Sequence, residues 1–188
     1  MRIAGVVLAA GAGRRYGRPK ALASHQGIPL LRRAASALAS IPSVVVVGAA
    51  AAQVRAFAPD LTYVDNPDWE SGLGSSLRAG LAAVAGADAA IVTLVDMPGV
   101  THAAVTRIAA FASPDALVMG GYGDRRGHPV LLGRDHWTGV AAAAVGDRGA
   151  RDYLRAHDVR VVDVSDIADD TDLDVPPAHP GHTDPSAT

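Results

Sequence analysis

An apolar run from Ile3 to Ala9 feeds directly into Ala10-Gly11-Ala12-Gly13-Arg14-Arg15-Tyr16-Gly17-Arg18-Pro19-Lys20, and no other stretch narrows the possible folds as much. An uninterrupted apolar segment of that length reads as a strand buried on both faces, as inside a parallel sheet. A buried strand that opens into a glycine-rich, basic loop suits a phosphate chain. Glycines let backbone N–H groups turn towards an anion, and Arg and Lys side chains neutralise its charge. A dinucleotide fingerprint fits poorly, because its third glycine would come one residue late, at Gly17. A P-loop fits no better, since Lys20 follows Pro19 and precedes Ala21 rather than Ser or Thr.

The rest of the chain alternates strand and helix signals. Helical patterns cover Leu30–Ser40, with Pro29 at the start, then Ala50–Ala58, Ser75–Ala85, a Thr101-capped stretch to Phe111, and Ala150–His157. Strand patterns cover Ser43–Val47, Leu61–Val64, Ala89–Val95, Leu117–Met119, Pro129–Leu132 and Val159–Val164. Asp65–Gly72 reads as a loop, and so does the glycine- and arginine-rich Gly120–Gly127. This alternation predicts an α/β fold with a mostly parallel sheet and helices on both faces. Ligands of such sheets bind at the carboxyl ends of the strands. The first loop, Asp96 and the Gly120–Gly127 segment are therefore expected to share one crevice.

Length and charge set further bounds. At 188 residues the chain is expected to hold one domain, residues 1–174, followed by a disordered tail at 175–188 rich in Pro, His and Asp. His179, His182 and Asp184 in that tail read as solvated chain rather than a metal site. A net charge of −2 argues against nucleic acid as a partner. Without cysteine, thiolate catalysis and cysteine metal sites are excluded. No run approaches the roughly 18 apolar residues of a membrane span, so no membrane association is expected and a cytoplasmic location is.

Asp96 is the second informative residue. It ends the apolar run Ile91-Val92-Thr93-Leu94-Val95, and Pro98 fixes the turn behind it. A carboxylate at a strand end, beside a phosphate loop, suits Mg²⁺, which takes one or two carboxylates together with substrate phosphates.

Leu8–Lys20 resembles the leading loop of the nucleotidyltransferases, Leu-Ala-Ala-Gly-x-Gly-x-Arg-x-Gly-x-Pro-Lys, at every fixed position. Asp96-Met97-Pro98 resembles the motif with which that superfamily holds its metal. Asn66–Leu81, Gly127-His128-Pro129-Val130 and Gly146-Asp147-Arg148-Gly149-Ala150-Arg151 are similar to the subgroup of molybdenum cofactor cytidylyltransferases and guanylyltransferases.

The resemblance implies a three-layer α/β/α Rossmann-like domain. It also implies transfer of a nucleoside monophosphate, CMP from CTP, to the terminal phosphate of molybdopterin, with pyrophosphate released. Leu8, Ala9, Ala10, Gly11 and Gly13 would bind the nucleotide, and the Ala9-Ala10 pair resembles the cytidine-using members. Arg15 and Lys20 would contact the triphosphate, with Arg15, Lys20 and Asp96 as the catalytic set. Gly74 and Ser75, opening a helix, would offer N–H groups to base or ribose. His128 would lie by the acceptor. Asp96 and Asp174 would hold Mg²⁺, although Asp172-Leu173-Asp174-Val175-Pro176 departs from the family's Asp-x-Asp-Thr-Pro, and Tyr16 replaces the usual Met. A client molybdoenzyme is a further implied partner.

Several alternatives stay open from the residues alone. One is a sugar-phosphate or alcohol-phosphate acceptor. Another is a non-catalytic nucleotide-binding relative serving molybdoenzyme maturation. The third is a nicotinamide-dependent oxidoreductase, which Gly48-Ala49 disfavours, since an acidic residue for the ribose is expected there.

Overall fold

A computed structural model describes residues 1–173. In chain order the elements are β1 (Ile3–Leu8), the short pair β2 (Ser24–His25) and β3 (Ile28–Pro29), α1 (Leu30–Ala37), β4 (Ser43–Val47), α2 (Ala51–Phe57), β5 (Tyr63–Asp65), α3 (Leu73–Ala83), β6 (Ala89–Leu94), α4 (His102–Ala109), β7 (Leu117–Tyr122), β8 (Arg125–Gly133), α5 (Trp137–Ala143), α6 (Arg151–Arg155) and β9 (Arg160–Asp163). The β2–β3 hairpin was not legible from the pattern. Its turn, Gln26-Gly27, takes positive φ at both positions, 51° and 76°, the backbone twist that two-residue hairpin loops require.

Among the described residues, seven strands form one sheet in the order β5-β4-β1-β6-β8-β7-β9. The pairs β1–β4, β1–β6, β4–β5 and β7–β9 are parallel. β8 runs antiparallel to both β6 and β7. The fold is therefore α/β with a mostly parallel sheet, as the alternation predicts. Side chains alternate faithfully across it. Val7, Val45, Val47 and Ile91 face α1, α2 and α4 in one buried layer. Val6, Leu8, Val46 and Val92 face α3, α5 and α6 in the other. Helices thus cover both faces, giving three layers.

One sequence reading is corrected. Gly120–Gly127 is not a loop but the body of the β7–β8 hairpin, turning at Gly123-Asp124. Its glycines admit close backbone approach rather than breaking the strand: a Cβ on Gly120 would stand 3.1 Å from the His128 carbonyl oxygen. A register shift between Met119 and Gly120 marks the same crowding.

The topology places the site. The chain leaves β1 towards β4 and β5 on one side, while β6 joins β1 on the other. The order of the strands reverses between β1 and β6, so the loops that follow them part and leave a crevice.

Candidate active site

β1 ends by docking its exit into the sheet. The Ala9 N–H donates to the Val46 carbonyl (3.0 Å), and the Ala10 carbonyl accepts from the Ala49 N–H (2.9 Å). Among the described residues, the Ala10 and Gly11 N–H groups find no backbone acceptor, so they are the donors this turn offers to a ligand. Gly13 lies at φ +63°, and a Cβ there would run into the Arg18 carbonyl. Only glycine lets the loop fold back on itself. Gly13→Ala is accordingly expected to weaken nucleotide triphosphate binding by about tenfold or more through a displaced loop, and titration calorimetry against wild type checks this. Tyr16 is buried in the core beside α1, 6% exposed, where the family's Met would also pack.

Pro19 leads into a 3₁₀ turn at Lys20–Leu22, closed by the Leu22 N–H to Pro19 carbonyl bond. That turn aims Lys20 across the crevice. Its Nζ lies 2.8 Å from Asp96 Oδ2 and 3.6 Å from Asp172 Oδ1, with Lys20 and Asp96 both largely sheltered from solvent. Asp96 is anchored from behind, because the Val95 N–H donates to the Leu8 carbonyl. Beyond β9 the chain is strapped over the Asp96 turn. Thr101 Oγ1 donates to the Ile167 carbonyl, the Asp169 N–H to Gly99 and the Leu173 N–H to Asp96. The strap delivers Asp172, which the sequence reading had not singled out. Asp174 lies outside the described residues, as does the 175–188 tail.

A cleft of about 580 Å³ lies over this cluster. Leu8, Ala9, Ala10, Gly11, Gly13, Arg15, Lys20 and Asp96 all line it, so these sequence candidates come together. Arg14 and Glu70 approach to 4.0 Å at its exposed rim, a contact worth little in water. Gly74 and Ser75 do not line the cleft. The helix begins earlier than expected, at Leu73, and the cleft wall is made by Gly72, Leu73 and Ser76. The Ser75 N–H is directed to the Gly72 carbonyl (3.2 Å), and its hydroxyl accepts from Asn66 Nδ2 (2.8 Å). Ser75 and Asn66 are both buried, and they hold the 66–72 loop in shape. Trp69, unforeseen in the sequence, also faces the cleft.

A second cavity of about 630 Å³ adjoins the first. Its wall includes Leu8, Leu77, Val92, Val130, Leu132 and Leu154. Arg126, Arg148, Arg151 and Arg155 also line it, together with His128, Asp170 and Asp172. The two cavities share Leu8, Leu73, Leu94, Arg151 and Asp172.

His128 precedes a cis peptide to Pro129. Its Nδ1 lies 3.0 Å from the Val92 carbonyl, which makes Nδ1 the donor and leaves Nε2 the acceptor of a neutral ring. Its carbonyl accepts a 2.5 Å bond from Tyr122 Oη. Burial and its Asp neighbours push the Tyr122 hydroxyl up to about 12, so it stays a donor. Burial lowers the His128 pKa below the ordinary imidazole value, against smaller upward pulls from the Val92 bond and Asp96. The unfolded chain therefore binds this proton more readily than the folded one. Stability is full above about pH 6.5 and falls as pH drops towards the folded pKa. Urea unfolding from pH 7.5 to 5.5 should show wild type losing more stability than His128→Asn, and parallel curves would refute this.

The MobA-like NTP transferase domain matches residues 5–161 of this chain. The chain is 37% identical over 187 residues to nicotine blue oxidoreductase of Paenarthrobacter nicotinovorans, with 92% of each covered. It is 39% identical over 143 residues to molybdenum cofactor guanylyltransferase of Rhodobacter capsulatus, covering 73% of this chain and 67% of that protein. Rv0371c of Mycobacterium tuberculosis H37Rv superposes with a TM-score of 0.75 at 30% identity, over 87% of this chain and 88% of that one. The same protein has been solved in complex with manganese, and that structure superposes with a TM-score of 0.72.

Proposed function

The chain belongs to the MobA-like NTP transferase family and is a nucleotidyltransferase of that type; we propose that it moves CMP from CTP to the terminal phosphate of molybdopterin, releasing pyrophosphate. The observation that carries this reading is the meeting of two cavities at Asp172, beside the Lys20–Asp96 pair. One cavity suits a nucleotide over a glycine-rich loop, and the other suits a second substrate. Among the described residues, the second cavity's wall carries no Ser, Thr, Asn or Gln. An apolar-faced ring carrying a phosphate would find both an apolar floor and arginines. The Ala9-Ala10 pair supports CTP over GTP.

In this reading the acceptor phosphate attacks the α-phosphorus in line, and the bond to the β-phosphate breaks. A phosphate monoester is ionised near neutral pH, so no side chain has to remove a proton. The chain contributes positioning and charge neutralisation. Lys20 exchanges its carboxylate partners for the triphosphate and the departing pyrophosphate, and Arg15 assists at the cleft mouth. The Ala10 and Gly11 N–H groups hold phosphate oxygens. Asp96, with Asp174 beyond the described residues, would hold Mg²⁺; a half-buried carboxylate and phosphate oxygens are a hard-oxygen set that fits it. The manganese complex of Rv0371c supports use of a divalent ion. The bound ion would screen the negative charge that gathers at the α-phosphate. No described helix is long and apolar enough to cross a membrane. In this reading the enzyme works on nucleotide pools in the cytoplasm. A client molybdoenzyme would receive the product.

Pyrophosphate release with Mg²⁺ and each of CTP, GTP, ATP and UTP, with and without molybdopterin, tests the proposal. Release that needs CTP and the pterin supports it in full. Release with GTP alone keeps the reaction and overturns the base. Binding without turnover favours a non-catalytic relative, and turnover only with sugar phosphates moves the acceptor.

One observation favours a second reading: the relative matched across most of both chains carries the name of an oxidoreductase. Against it, β4 gives way to Gly48-Ala49, with no carboxylate for a ribose. NADH that binds, as followed by its fluorescence, and is oxidised by an added dye would support this reading. Absence of both removes it.

A further inference from the structure

The Gly146–Arg151 motif has no role in the reaction described so far, yet the fold brings it to the junction of the two cavities. Its turn is held by close backbone packing. Gly72 lies at φ +107°, and a Cβ there would stand 2.5 Å from the Gly146 carbonyl carbon and 2.7 Å from Asp147 Oδ1. Gly149, at φ +54°, sits against Leu73, where an added Cβ would be 3.2 Å from Cδ2. The Arg78 guanidinium donates to the Ala144 carbonyl and ties the preceding segment to α3. The turn is thus clamped to the cleft wall, and it hands over to α6 at Arg151.

Arg151 lines both cavities. Two neighbouring arginines are engaged: Arg148, in the turn before α6, pairs with Asp152 at 2.9 Å, and Arg155 reaches the same carboxylate at 4.0 Å. The Arg151 side chain makes no hydrogen bond or ion pair with another described residue, although it lies in the field of Asp152. A planar cation with five donors, set between an apolar-floored cavity and a triphosphate cleft, matches one chemical group best: a phosphate monoester oxyanion.

We propose that Arg151 binds the attacking phosphate of the acceptor and aligns it on the α-phosphorus of the NTP. This rests on the nucleotidyltransferase reading. One acceptor oxygen forms the new P–O bond, the bond from the α-phosphorus to the bridging oxygen breaks, and pyrophosphate leaves with that electron pair. Arg151 neutralises the attacking group while both anions crowd together, and it transfers no proton. Its task is separate from that of Lys20, which serves the triphosphate.

Two measurements on the full chain test this. With molybdopterin and CTP, Arg151→Ala should lower kcat/KM for the acceptor about 10²-fold, while CTP affinity by calorimetry changes less than about threefold. Arg151→Lys should recover part of the loss. Phenyl phosphate, an apolar ring bearing one phosphate monoester, then serves as a probe that needs no turnover. Its affinity in the presence of CTP should fall about tenfold in Arg151→Ala, with phenol as the uncharged control. If wild type is silent with the pterin but phenyl phosphate binding depends on Arg151, the pterin assignment fails and the Arg151 assignment stands. If phenyl phosphate distinguishes the two proteins no better than phenol does, or binds neither, the Arg151 assignment falls. An equal loss of CTP affinity would overturn it too, moving Arg151 to the triphosphate.

Discussion

Lys20→Ala is expected to slow nucleotidyl transfer by about 10²–10³ while the fold survives. The ammonium is sheltered and held between Asp96 and Asp172. Its pairing with Asp96 adds little net stability, since desolvation offsets much of the attraction in such a pair. What the pair does is position a cation. Negative charge on the leaving pyrophosphate grows during the reaction, so a preplaced ammonium is worth more in the transition state than in the ground state. The loss should therefore fall mainly on kcat, with a smaller rise in the KM for NTP. Steady-state kinetics with a thermal melt checks it. Unchanged turnover in a folded variant would remove Lys20 from the machinery.

Asp96→Asn should abolish divalent-metal-dependent turnover, a loss of about 10³ or more, because an amide is a poor ligand for a hard dication. The Asn side chain keeps the shape at the strand end and can still accept from Lys20, so far-UV spectra should match wild type. Asp96→Ala removes that acceptor as well and leaves Lys20 with fewer carboxylates, so it should melt lower than Asp96→Asn. A magnesium titration followed by pyrophosphate release gives the answer. Turnover that survives without divalent metal, or an Asn variant with wild-type activity, would take the metal away from Asp96.

The first strand and its loop were legible because their signal is local: a short apolar run, then glycines and cations at fixed spacing. Alternating strands and helices likewise gave the layers, and Asp96 stood out because a strand ends just before it. Where the reading went astray, a local signal carried two meanings. Glycines at 120–127 look like turn residues, but in β7 and β8 they let neighbouring backbone come close. Ser75 looked like an open helix start, yet Asn66 and Gly72 use its polar atoms from within the loop. The second cavity could not be read as a cavity, although His128 and the Gly146–Arg151 motif that line it stood out in the sequence. Arg126 comes from β8, and Arg148, Arg151 and Arg155 from the region of α6, and only the sheet order carries them to one wall. Asp172 belongs to the same class, since its neighbour Lys20 lies near the opposite end of the described chain.

That last pairing bears on how a newly made molecule becomes competent. The ribosome delivers the glycine-rich loop well before the strap over the Asp96 turn. Until the strap emerges, Lys20 and Asp96 lack the Asp172 carboxylate beside them, and the Asp96 turn lacks its bonds from Asp169 and Leu173. Contacts between residues far apart in a chain are among the slowest to form. Ligand binding stabilises only the species that can bind, so a nucleotide would reward the finished protein rather than its fragments. The two faces of the sheet can be packed while the cleft is still incomplete.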